Sequence, residues 1–262
     1  MLADIEETRA YQSVPMGHRP AKPRTTGLTI AVEFGVGPAA QQDFLAIAGH
    51  TLDYAKQVVS IAGVIPEAQM REKIEIFKAH SVKPFPGGMF LEYAHANSLV
   101  SEYLKETRAL GYEVLEVSEN ARTIDRGARA DIIACSLDMG FEVLGEVGSK
   151  HVKSTAAQIV DDVNVLMELG CSKVLVEAAE LMVDGAIDEE LIRQLEEGTT
   201  IDDCVFELPG PWIPGVHQHD VLAMEMWLLK RFGGNVNIAN DMWGNSLYLE
   251  TCRRGLGANL FA

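Results

Sequence analysis

Five glutamates, Glu33, Glu116, Glu146, Glu177 and Glu207, each stand at or near the end of a short apolar run, as in Cys204-Val205-Phe206-Glu207. A strand that finishes on a polar side chain beside a helix is the unit of a (β/α)8 barrel, in which chemistry sits at the strand C-termini. Carboxylates converging on one mouth repel one another, so the cluster calls for a divalent cation, for lysines, or for protonation of some members. Lys56 and Lys150, on or after the second and fifth strand patterns, are the counter-charges in reach. Any single glutamate could instead face outward or pair with an arginine; the five together are the stronger signal. Glycines at Gly35, Gly37, Gly87-Gly88, Gly148 and Gly210 would let backbone N–H groups approach an anion, although tight turns alone also account for them.

Three histidines add a second possibility. His217 and His219 flank Gln218 beside Asp220, and His151 follows the fifth strand pattern. On a loop they could join the glutamates at a metal and shift its preference from magnesium toward manganese, zinc or iron. The alternative is that His217 and His219 open a helix and face solvent. Trp212, on a Pro-rich loop, could stack on a substrate or fill an interface.

The elements that must position these residues alternate between strand and helix. Strands are expected at Leu28 to Glu33, Leu52 to Val59, Val82 toward Gly88 with Pro84 and Pro86 inside it, and Val114 to Ser118. Four more are expected at Glu142 to Gly148, Lys173 to Glu177, Cys204 to Glu207 and Asn235 to Asn240. Helical patterns open at Pro66-Glu67, after Asn97 as N-cap, and over Ala128 to Met139, Ala156 to Leu169 and Ala223 to Phe232. Gly111, Gly140, Gly170 and Gly233 follow helical runs and suit left-handed C-termini. A doubly wound open sheet shares this alternation; eight strands in 262 residues favour an α/β fold of the (β/α)8 type, with residues 27–262 as one domain. Residues 1–26 carry Pro15, Pro20 and Pro23 and read as an extended arm that wraps the barrel or a neighbouring subunit, which makes a homo-oligomer the expectation.

Composition limits the partners. With 47% hydrophobic and 23% charged residues the chain can bury a full core, and a net charge of −16 argues against nucleic acid or an anionic membrane. The four cysteines lack a CxxC spacing and read as reduced, buried side chains of a cytoplasmic protein.

The strings Lys83-Pro84-Phe85-Pro86-Gly87-Gly88-Met89-Phe90-Leu91-Glu92, Glu116-Val117-Ser118, Glu146-Val147-Gly148 and Glu177-Ala178 occur in that order. They are followed by Arg231-Phe232-Gly233-Gly234-Asn235-Val236-Asn237 and a closing Leu249-Glu250-Thr251-Cys252-Arg253-Arg254. Together they resemble the phosphosulfolactate synthase family from about Gly27 to Leu256. The resemblance implies a (β/α)8 barrel that adds sulfite to phosphoenolpyruvate with magnesium. It also implies Glu116, Glu146 and Glu177 as the metal-facing group and Lys56 or Lys150 as proton donor; the convergence of strand-end carboxylates adds Glu207 to the expected metal set, and Glu116 is expected among the catalytic groups. Glu33, Ser60, Glu92, Ser118, Gly148, Gly210, Trp212, His217 and Asn240 complete the expected substrate-binding set.

Departures from the family pattern bear on substrate. Glu33-Phe34-Gly35 stands where Asp-Lys-Gly is usual, Gln57-Val58-Val59-Ser60-Ile61-Ala62 replaces a glycine-rich, hydroxyl-bearing loop, and Ala179 replaces an arginine. Leu208-Pro209-Gly210-Pro211 replaces a stretch ending in lysine. Three cationic positions are gone, so the expectation is a metal-dependent lyase or synthase that acts through an enolate on a small, less anionic carboxylic acid. The metal is expected to be Mg2+, with Mn2+ or Zn2+ as alternatives. The parent reaction and a non-catalytic, stress-related binding role on the same scaffold remain alternatives.

Overall fold

The computed structural model describes residues 9–148, 153–183, 186–210 and 213–257. Eight parallel strands carry the fold: β1 (Thr29–Glu33), β2 (Tyr54–Gln57), β3 (Lys83–Pro86), β4 (Val114–Val117), β5 (Glu142–Val147), β6 (Lys173–Val176), β7 (Cys204–Glu207) and β8 (Ile238–Met242). Their order in the sheet is β3-β2-β1-β8-β7-β6-β5-β4, which is the circular order of a (β/α)8 barrel. The ladder is interrupted only between β3 and β4. Lys83 and Gly87 donate their N–H groups to Asp53 and Gln57 on the β2 side. Successive residues alternate, so positions 84 and 86 face β4, and as prolines they have no N–H to give.

Helices follow the strands: α1 (Pro38–Ala48), α2 (Glu67–Ala79), α3 (Met89–Ala96), α4 (Val100–Leu110), α5 (Arg126–Asp138), α6 (Ala156–Glu168), α7 (Glu189–Gly198), α8 (Gln218–Phe232) and α9 (Ser246–Arg253). A small antiparallel pair, Met182–Val183 with Ala186–Ile187, sits between β6 and α7. Several bounds differ from the sequence expectation. Asn97 closes α3 and Leu99 caps α4, so one expected helix start is a helix end. The α8 helix begins at Gln218, one turn and more before Ala223, because His217 and Asp220 form a reciprocal cap there. β8 runs from Ile238 to Met242, later than Asn235 to Asn240.

The period of two along each strand sorts the core. Ile30, Tyr54, Phe85, Val114, Leu144, Leu175, Val205 and Ala239 fill the barrel interior, while a larger cluster packs strands against helices. The described part of the arm, from residue 9 on, is tied to this same barrel. Arg19 is buried, 3.1 Å from Glu250 and donating to the Gly27 carbonyl at 2.8 Å, and Arg24 meets Asp53 at 3.2 Å. No described helix is long and apolar enough to cross a membrane.

Candidate active site

Two residues after each interior core position the same face of the strand recurs. Tyr54 is followed by Lys56, Val114 by Glu116, Leu144 by Glu146, Leu175 by Glu177 and Val205 by Glu207, so one layer above the apolar plug is a ring of charge. Lys56 Nζ sits among them, 2.8 Å from Glu116, 2.9 Å from Glu207 and 3.5 Å from Glu146. Oxygens of these three carboxylates lie within 4.8 Å of one another.

One ammonium serves several acids, and the protonation states follow. Burial alone would lower Lys56, but Glu116, Glu207 and Glu146 outweigh it and hold the ammonium well above the ordinary lysine range. Burial, only partly offset by Lys56 and reinforced by Glu146, raises Glu116 well above the carboxylate range. Glu207 is pushed up to about 8 by burial, against the pull of Lys56 and with Glu146 and Glu177 adding repulsion.

Asn120, which the sequence reading did not single out, completes the ring. Its Nδ2 donates to Glu146 and, at 2.8 Å, to Glu177. Glu92 fixes the loop that carries it: the carboxylate accepts from Ser118 Oγ at 2.5 Å and from the backbone N–H groups of Asn120, Ala121 and Arg122 at 2.8 Å each. Gly88 lies so close to this loop that a Cβ would run into the Ser118 side chain. Glu92 and Ser118 thus build the site from behind and do not line the cavity.

Asn240 reaches the same cavity by a bulge. Thr29 pairs with Ile238 but Ala31 with Asp241, so β8 carries one extra residue, and Asn240 takes it up at φ +61°. The bulge aims Asn240 into the mouth and turns Asp241 toward the helices. The buried amide oxygens of Asn120 and Asn240 have no hydrogen-bond partner among the described residues, while Glu116 Oε1 is met by Lys56 at 2.8 Å. Carboxylates accept only, so the amide nitrogen of Asn120 must face them and its oxygen the cavity. A group of hard oxygen acceptors with surplus negative charge fits a cation such as Mg2+ or Mn2+.

The cavity is small, about 50 Å³, and its rim is apolar: Phe34, Val58, Val59, Met89, Leu208 and Ile213. Val59 and Ser60 both stand in the left-handed region, at φ +48° and +62°. That is a costly conformation for a β-branched residue, and it holds the half-exposed Val59 side chain at the mouth.

The other expected residues lie elsewhere. Glu33 comes three residues after the inward Ile30 and therefore faces the helices, accepting from Gly35 and Val36 N–H groups and standing 3.4 Å from Lys73. Gly148 lines a neighbouring polar cavity, and Ser60 and Gly210 do not line the acidic one. His217 and His219 are exposed, stacked on each other at 5.6 Å, and outside the cavity. Lys150, His151 and Trp212 lie outside the described residues.

Fold and ring together define a (β/α)8 enzyme scaffold with a carboxylate-lined mouth. Residues 17–259 match the model of the (2R)-phospho-3-sulfolactate synthase (ComA) family, and the chain belongs to that family. It is 30% identical to the phosphosulfolactate synthase of Methanothermobacter thermautotrophicus over 91% of this chain and 92% of the relative. With that of Methanocaldococcus jannaschii it shares 29% over 90% and 94%. Among solved structures, a truncated 3-deoxy-D-arabino-heptulosonate 7-phosphate synthase from Thermotoga maritima is similar in fold, with a TM-score of 0.58 at 9% identity, covering 87% of this chain and 86% of that one.

Proposed function

We propose that this family member is a metal-assisted lyase or synthase that acts on a carboxylic acid through an enolate-type intermediate, and that its substrate is less anionic than phosphoenolpyruvate with sulfite. The observation that carries the reading is Lys56 Nζ among Glu116, Glu207 and Glu146, at 2.8, 2.9 and 3.5 Å. Glu116, Glu146 and Glu207 would hold the cation, with Glu177 kept beside them by Asn120. A divalent ion there supplies electrostatic stabilisation for charge that develops on a carboxylate or enolate oxygen. Lys56 carries the proton destined for the reacting carbon, and Lys150 remains a second candidate for that role. The apolar rim of Phe34, Val58, Val59, Met89 and Ile213 excludes water from the reacting atoms.

One observation favours the parent reaction as a second reading. A polar cavity of about 270 Å³ shares Asn120 and Glu146 with the acidic one and is lined by Arg122 and Arg129. Those arginines could receive a phosphate or sulfonate. Glu119 and Asp162 line the same space and offset their charge, which is why the less anionic substrate is preferred. Assay of phosphoenolpyruvate with sulfite and Mg2+ decides between them. The preferred reading expects kcat/KM well below ~10⁴ M⁻¹s⁻¹; a value at or above that level would restore the parent reaction.

A further inference from the structure

The acidic cavity of about 50 Å³ holds a head group and little else. Ile213 forms part of its wall and also part of the wall of a second cavity, of about 470 Å³. That second space is bounded by Met182 and Ile187 of the small antiparallel pair, by Pro209 just beyond β7, and by Met224 and Trp227 of α8. Among the described residues its one ionisable lining residue is Asp220, which is engaged with the His217 N–H at 2.8 Å and with His219 at 3.2 Å. Ala179, where the family pattern has arginine, also lines it, so a position that could have carried charge contributes a methyl group. An apolar space of this size beside a polar head-group site has the make-up of a small-molecule pocket.

We propose that the substrate is a carboxylic acid with an apolar substituent of about five to eight carbons, its head group at the Lys56 ring and its substituent in the cavity beyond Ile213. The proposal rests on the carboxylic-acid reading above. It commits the cavity to the same ligand as the acidic mouth because the two share a wall, and because apolar side chains also rim the mouth itself.

Straight-chain 2-oxo acids from pyruvate to 2-oxodecanoate, titrated calorimetrically into the full chain with Mg2+, test it. Affinity is expected to rise about fourfold per methylene and then level off once the cavity is filled. Ala223 is exposed at the rim of the cavity, so Ala223→Phe intrudes without repacking the core. It is expected to flatten the series while leaving pyruvate within about twofold. An affinity independent of chain length, or a rising series untouched by Ala223→Phe, would overturn the proposal, and pyruvate binding would still uphold the head-group reading. Long acids that bind equally well to Glu146→Gln would overturn that reading and keep the cavity. Phosphoenolpyruvate binding tenfold more tightly than every 2-oxo acid would overturn the apolar assignment. A flat series in an oligomer that Ala223→Phe dissociates would assign the cavity to a second copy of the chain instead.

Discussion

Lys56 and Glu207 meet across the barrel mouth from β2 and β7, with 2.9 Å between Nζ and Oε1. The contact joins strands separated by β1 and β8, so it depends on the barrel being wound round on itself. It also leaves the lysine committed to more acids than it can neutralise. With Glu207 raised to about 8 and Glu116 well above the carboxylate range, the ring retains protons at neutral pH.

Metal binding should therefore release protons. A cation needs the carboxylates ionised, so affinity rises with pH until the last of them is free and weakens about tenfold per unit below that point for each proton released. For Glu207 the limit is near pH 8. Calorimetry with Mg2+ in two buffers of different ionisation enthalpy reads the proton count directly. Glu207→Gln should lower both the affinity and the count. An affinity flat from pH 6 to 9 would contradict the assignment.

The position of Asn120 depends on Glu92. Removing the Glu92 carboxylate frees three backbone N–H groups and the Ser118 hydroxyl together, and the amide that bridges Glu146 and Glu177 moves with its loop. Glu92→Ala and Asn120→Ala are each expected to weaken Mg2+ binding by about 10- to 100-fold, as groups that orient metal ligands do. The double variant should be little worse than Glu92→Ala. Additive losses would show that the two act separately.

Much of the barrel could be read from the strand alternation and from polar residues at strand ends, and the ring itself from the position of each glutamate. The parity of Glu33 was equally available: it stands at an odd spacing from Ile30, whereas Glu116 stands at an even spacing from Val114. Asn120 was not legible, because its role depends on a loop tied down by Glu92 from a helix that the sequence pattern did not mark. Nor was Asn240's aim, since a bulge of one residue at a non-glycine φ of +61° leaves no periodic trace.

The arm is bound to its own barrel by charge. Arg19 lies between Glu250 and the carbonyls of Gly27 and Gly234, while Glu250 is also held by Arg254 at 2.7 Å. Because Arg254 stays behind to compensate Glu250, Arg19→Ala should cost about 2 kcal/mol, less than the loss of a sole buried partner. Urea denaturation measures it. Light scattering on the same variant, compared with the intact chain, tests the further expectation that the arm contributes to a homo-oligomer.

A second pair of buried acids makes stability fall with pH. Glu225 of α8 and Asp241 of β8 are fully buried and linked by Asn245, whose Nδ2 donates to them at 2.6 and 3.0 Å. Burial raises Glu225 to about 8, with repulsion from Asp241 adding to it and Asn245 and Arg253 opposing. Asp241 is raised to about 6 by burial, against hydrogen bonds from Ser246 and Asn245 and the charge of Arg253. Both folded values exceed those of the unfolded chain, so between the two the native state holds protons that the unfolded state has lost. The stabilisation is therefore present in full below the unfolded carboxyl range and is lost as pH rises through about 6 and then about 8. Glu225→Gln keeps an oxygen for Asn245 to donate to and removes the ionisation. Relative to this variant, the unaltered protein should lose on the order of 5 °C in Tm between pH 6 and pH 9. Parallel melting curves across that range would show that Glu225 does not titrate there.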